Sequence, residues 1–135
     1  MQNSEGAVGS LAGLRILAVE DEYLLRLEIA TVLRDAGATV TQCATVGDAL
    51  RALDAGTFAA ALLDIRVGKE AITPVAHRLM ELAVPFVFYT GHLATEEILS
   101  PWPNARVLPK PVAPVALVNA IAELLEPAEP RAHDR

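Results

Sequence analysis

A chain of 135 residues has room for one domain with a buried core and little more. Its formal net charge of -6 argues against wide contact with nucleic acid or an anionic membrane, since both rest on clustered Lys and Arg. Abundant Ala, Leu and Val with few aromatics favours helices on a small sheet over a β-sandwich.

Residues 1–13 are small, polar and aperiodic, and residues 127–135 are rich in Pro, Ala and charge, so both are expected to be flexible tails around a folded unit over 14–126. Within that unit, short apolar runs alternate with stretches of helical period, the mark of βαβ units and a parallel sheet. The run Ile16-Leu17-Ala18-Val19 predicts a strand buried on both faces, and it stops at Glu20-Asp21-Glu22. Leu25, Ile29, Val32, Leu33 and Ala36 then share one helical face, and Gly37 can turn left-handed after the last turn. An edge strand over 38–42 follows. Thr45 can cap a second helix with Val46, Ala49, Leu50 and Leu53 inward.

The buried run 58–63 ends at Asp64, Val67-Gly68 predicts a turn, and Thr73-Pro74 supply the cap and first position of a third helix. A fourth strand over 86–89 closes at Thr90-Gly91-His92. Pro101 and Pro103 around Trp102 limit the next segment to a short helix over 95–99, with Trp102 packing in a loop. A last strand over 105–108 leads through Lys110-Pro111 to a helix with Leu117, Val118, Ile121, Leu124 and Leu125 on one face.

Ligands of an open parallel sheet bind beyond the carboxyl ends of its strands, and there the chain places Glu20, Asp21, Asp64, Thr90 and Lys110. Each has an ordinary structural explanation: acids complement a helix dipole, Asp64 and Thr90 can satisfy loop backbone, and Lys110 can be solvated. Together they have a chemical use. Crowded carboxylates are relieved by a hard, oxygen-loving cation, above all Mg2+. A carboxylate can also attack phosphorus, provided partner groups neutralise the charge on the transferring phosphoryl oxygens.

The segments Ala18-Val19-Glu20-Asp21-Glu22, Leu62-Leu63-Asp64-Ile65, Tyr89-Thr90-Gly91 and Leu108-Pro109-Lys110-Pro111-Val112, in this order and spacing, resemble the receiver domain of two-component response regulators. The resemblance implies a flavodoxin-like (βα)5 doubly wound parallel α/β fold with strand order 2-1-3-4-5. It implies Asp64 as phosphoacceptor from a histidine kinase or histidine phosphotransfer protein, Thr90 as switch hydroxyl and Lys110 as phosphate-pairing amine. Mg2+ would be held by Glu20, Asp21, Asp64 and the Arg66 backbone carbonyl, and the Lys110-Pro111 peptide would be cis. Arg66 and His92 match positions that tune hydrolysis in the family, and a pair of solvent-facing loop residues is the alternative.

The aromatic that receivers carry three residues before the lysine is replaced by Val107. The segment Phe88-Tyr89-Thr90-Gly91-His92 resembles in part the receiver subgroup nicknamed FATGUY, with Tyr89 in place of Ala and Leu93 in place of the final Tyr. Output is therefore expected from segment 93–104.

The expected function is a single-domain response regulator that signals by protein contact or acts as a phosphate sink and turns over no metabolite. It is expected as a monomer or weak phosphorylation-dependent dimer, without nucleic acid or membrane as partner. Lone Cys43 excludes a disulfide framework, no apolar run reaches the roughly 20 residues that span a bilayer, and no signal-peptide pattern opens the chain, so a cytoplasmic protein is expected. One alternative is a degenerate, unphosphorylated interaction domain. Another is a Mg2+-dependent phosphotransfer or hydrolase enzyme, for which no cap or substrate-gripping insertion is evident.

Overall fold

A computed structural model describes residues 10–91 and 99–126. Five strands, β1 (Arg15–Val19), β2 (Thr39–Cys43), β3 (Ala60–Leu63), β6 (Phe86–Thr90) and β7 (Arg106–Pro109), form a parallel sheet in the order β2-β1-β3-β6-β7. Counted in chain order among these five, that is 2-1-3-4-5, the flavodoxin-like arrangement. Two further strands, β4 (Arg66–Val67) and β5 (Glu70–Ala71), make a small antiparallel hairpin that the sequence showed only as a turn at Gly68, whose φ is 65°.

Four helices complete the described residues: α1 (Tyr23–Asp35), α2 (Val46–Ala55), α3 (Thr73–Glu81) and α4 (Pro114–Leu124). The start and stop signals act as expected at two of them. Gly37, past the end of α1, has a φ of 103°, where a side chain would be strained. A Cβ there would also meet the Ala12 Cα at 2.9 Å. The Thr45 hydroxyl accepts the Asp48 N–H at 3.0 Å and caps α2. At α3 the expectation is displaced by one residue: Ile72 is the capping position and Thr73 already lies in the helix, followed by Pro74 in its first turn. Proline tolerates any of the first positions because their N–H groups have no intrahelical partner. The short helix expected over 95–99 falls mostly outside the described residues.

The sheet separates two apolar clusters. On one face Ala18, Leu62, Val87 and Tyr89 pack with Ile29, Ala30 and Leu33 of α1 and Leu117, Val118 and Ile121 of α4. On the other, Leu17, Leu63 and Phe88 pack with Ala49 and Leu53 of α2 and Val75 and Leu79 of α3. Alternate residues of one strand thus serve opposite cores, as the period of two requires. Packing also extends before residue 14: Leu11 is fully buried, and its N–H donates to the Ala36 carbonyl at 2.9 Å.

Trp102 closes the second cluster. It is buried, with its ring centroid 5.0 Å from His77 and 5.9 Å from Phe88, and its indole N–H points to the Met80 sulfur. This is the loop-packing role expected of it.

Cys43 ends β2 in the same cluster and is 5% exposed. Burial, with a smaller contribution from the charge of Asp48, pushes its thiol from 9.0 up to about 11. An acid whose folded value is raised stabilises the fold fully below its unfolded value and loses that contribution as pH climbs through the folded one. Between pH 9 and 11 the wild type should therefore lose on the order of 1–2 kcal/mol more stability than Cys43→Ala, most of the shift after a discount for solvent screening of the thiol. Urea unfolding of the two proteins across that range measures the difference, and parallel curves would refute the assignment.

Candidate functional site

Strand register assembles the polar site. Val19 of β1 pairs with Leu63 of β3, so Glu20 and Asp64 emerge side by side from neighbouring strands. The ladder continues one step beyond the strands: the Asp64 N–H donates to Val19 O at 3.0 Å, and the Glu20 N–H to Cys43 O at 3.0 Å. Across the sheet Thr90 pairs with Pro109, and the Lys110 N–H donates to Thr90 O at 2.8 Å. Glu20, Asp64, Thr90 and Lys110 are thus borne by backbone tied into the sheet, while Asp21 stands in the bend after β1.

Glu20, Asp64 and Thr90 are the buried polar residues among those described, and Asp21 is exposed beside them. The Lys110 ammonium reaches Glu20 Oε1 at 2.7 Å and Asp64 Oδ2 at 3.0 Å, bridging the two buried carboxylates. Glu20 Oε2 accepts the Glu22 N–H at 3.1 Å, so both oxygens of this carboxylate are partnered. The peptide between Lys110 and Pro111 is cis.

Burial, and further the charge of Asp64, raise the Glu20 carboxyl above its usual range, against the opposing hydrogen bonds from Lys110 and from the Glu22 N–H. Burial alone would lower Lys110. The hydrogen bonds and charges of Glu20 and Asp64 outweigh it, and the ammonium is held more firmly protonated than usual. Lys110 is therefore a fixed positive charge at the mouth of the site.

The donors present suit a hard divalent cation. One carboxylate oxygen from each of Glu20, Asp21 and Asp64 lies within 4.8 Å of the others. Formally, three carboxylates against one ammonium leave a charge of minus two, which such an ion would cancel. Arg66 is exposed at the start of the β4–β5 hairpin, two residues beyond Asp64. His92 lies outside the described residues.

Two partners of the acidic turn were not anticipated from the sequence. The Arg26 guanidinium, one turn into α1, donates to Glu20 O at 2.9 Å and approaches Asp21 O at 3.4 Å. The Gly68 N–H, at the tip of the hairpin, donates to Asp21 Oδ2 at 3.0 Å. Arg26 could have been suspected from its place six residues after Glu20, on the face of α1 turned to the loop. Gly68 lies 47 positions from Asp21, and only the folded hairpin brings them together.

Fold and site together define a flavodoxin-like α/β domain whose acids and ammonium gather at the carboxyl edge of the sheet. No family model and no curated protein matches the sequence. Solved structures do. A response regulator receiver protein from Sinorhizobium medicae superposes with a TM-score of 0.76 at 30% identity, over 85% of this chain and 96% of that one. A CheY-like receiver domain protein from Methanospirillum hungatei gives 0.75 at 26% identity, over 83% and 93%. TrrA, a response regulator from Thermotoga maritima solved in complex with Mg2+–BeF, shares the fold at a TM-score of 0.74 and 22% identity, over 83% and 99%. The chain belongs to the response regulator receiver family.

Proposed function

We propose that this receiver is a phosphoacceptor, in which an Asp64 oxygen takes a phosphoryl group from a phosphohistidine on a histidine kinase or phosphotransfer protein. The observation that carries the reading is the Lys110 ammonium lodged between Asp64 and Glu20, a fixed cation beside the reacting carboxylate. Glu20, Asp21 and Asp64, with the Arg66 carbonyl, would hold Mg2+, and the solved Mg2+–BeF complex of TrrA supports this ligand chemistry by likeness of fold. Bound there, the ion supplies positive charge against the phosphoryl oxygens.

The remaining steps belong to the chain. An Asp64 oxygen attacks phosphorus in line. The P–O bond forms as the P–N bond breaks, and the bonding pair leaves with the imidazole. Lys110 turns from its carboxylate partners to the new phosphoryl oxygens, and Thr90, one strand away, offers its hydroxyl to the same group. Arg66 and His92, two residues beyond Asp64 and Thr90, tune the entry of the water that later hydrolyses the acyl phosphate. The module signals by protein contact or drains phosphate from its donor, as a monomer or a weak phosphorylation-dependent dimer in the cytoplasm, and it turns over no metabolite. No helix of the described residues is long and apolar enough to cross a membrane.

Incubation with acetyl phosphate and Mg2+, followed by intact mass, tests the reading. The wild type should gain one phosphoryl group, lost on chelation of the metal and absent in Asp64→Asn. A folded wild type that gains nothing, and whose amide spectrum ignores beryllofluoride, would instead make this a degenerate interaction domain.

A further inference from the structure

The Lys110 ammonium has a third neighbour besides its two carboxylates: it lies 5.3 Å from the centroid of the Tyr89 ring. Tyr89 is 4% exposed and sits on the sheet face covered by α1 and α4, packed in the cluster that holds Leu117, Val118 and Ile121 of α4. Its phenol oxygen also accepts a hydrogen bond from the Val112 backbone N–H, in the segment leading to α4. One side chain thus meets the cation of the site and the segment that leads into α4, and shares a cluster with that helix. The neighbouring strand offers nothing comparable on the other face, where Val107, paired with Phe88, is a partly buried aliphatic side chain.

We infer that Tyr89 is the coupling residue of this receiver: its ring ties the position of the Lys110 ammonium to the first turns of α4, so that the signal leaves by the α1–α4 face of the sheet. The inference rests on the phosphoacceptor reading above. A phosphoryl group on Asp64 draws the ammonium away from the Glu20–Asp64 bridge and so changes its distance from the ring. Cation and ring attract each other most strongly where water is excluded, and this ring is buried. A close-packed core leaves the ring no free volume, so its displacement must be taken up by its neighbours in α4. There Val115 is an exposed apolar residue available to report the change.

Amide NMR of the full chain tests this, with Mg2+ alone and with Mg2+ plus beryllofluoride, on wild type, Tyr89→Phe and Tyr89→Leu. In the wild type, beryllofluoride should shift the amides around Asp64 and Lys110 and also those of Val115 to Val118. Tyr89→Leu should keep the first set and lose the second. Tyr89→Phe, which keeps the ring over Lys110 and loses only the hydroxyl's bond to Val112, should keep both, and this rescue separates coupling through the ring from a merely structural role. Three results would overturn the proposal: a wild-type response that stops short of Val115, an undiminished α4 response in Tyr89→Leu, or its loss in Tyr89→Phe. A wild type silent to beryllofluoride even around Asp64 would remove the phosphoacceptor reading itself, and the coupling with it.

Discussion

Lys110→Ala should destabilise the metal-free protein by about 3 kcal/mol, the low end of what breaking a buried ion pair costs, because the ammonium is partly open to solvent. Glu20 is 2% exposed and Asp64 7% exposed, and without Lys110 the two carboxylates face each other across a site that water barely reaches. The formal charge of the site then stands at minus three instead of minus two. Added Mg2+ should consequently stabilise the variant more than the wild type, reversing part of the loss. Phosphoryl uptake should not recover in parallel, because the lost ammonium would have paired with the phosphoryl oxygens; a fall of roughly 100-fold is expected from removal of one such donor. Urea unfolding with and without Mg2+, and phosphorylation rates by intact mass, separate the two effects. Equal stability of variant and wild type without metal would show that the bridge contributes nothing, and a normal phosphorylation rate would remove Lys110 from the chemistry.

Phe88→Ala should cost about 3–5 kcal/mol, the range for a large aromatic truncated in a packed core. Phe88 is fully buried, and its ring lies edge-on to Phe86 at 5.4 Å and to Trp102 at 5.9 Å. A domain of this size is typically stable by about 5–15 kcal/mol, so the loss is a large fraction of the whole. The chain has a single tryptophan, and Trp102 borders the space that the ring would vacate. Its fluorescence therefore reports both the native packing and the unfolding transition. A red-shifted native emission and a lower urea midpoint are expected. A cost below about 1 kcal/mol would mean that the cluster closes over the gap.

The parts of this fold that were legible in the sequence are those set by local pattern. The run Ile16–Val19 reads as a strand because β1 lies between β2 and β3 and is covered on both faces, which leaves no polar position to interrupt it. Gly37 and Thr45 read as helix signals because each acts on backbone within a few residues of itself. The β4–β5 hairpin did not read as strands, since two-residue segments have no period to detect, and only its tip at Gly68 gave a signal. Ile72 was missed as the capping position of α3 because its side chain caps nothing there. For the site, strand ends put Glu20, Asp64, Thr90 and Lys110 at one edge of the sheet, since a parallel sheet aligns the carboxyl ends of its strands. The bridge from Lys110 to Glu20 spans 90 positions, and the Gly68 contact to Asp21 spans 47. Such pairs depend on register and rotamer, which pattern alone does not specify.

The sheet is also a partition. The cluster beneath α1 and α4 and the cluster beneath α2 and α3 share strands but not side chains. Substitutions in the two should therefore combine additively, as they do between sites with no common partners. A lineage could remodel one pair of helices to suit a new partner while the opposite pair, and the strand ends between them, stayed as they were. The two sides of one small domain can in this way diverge on separate schedules.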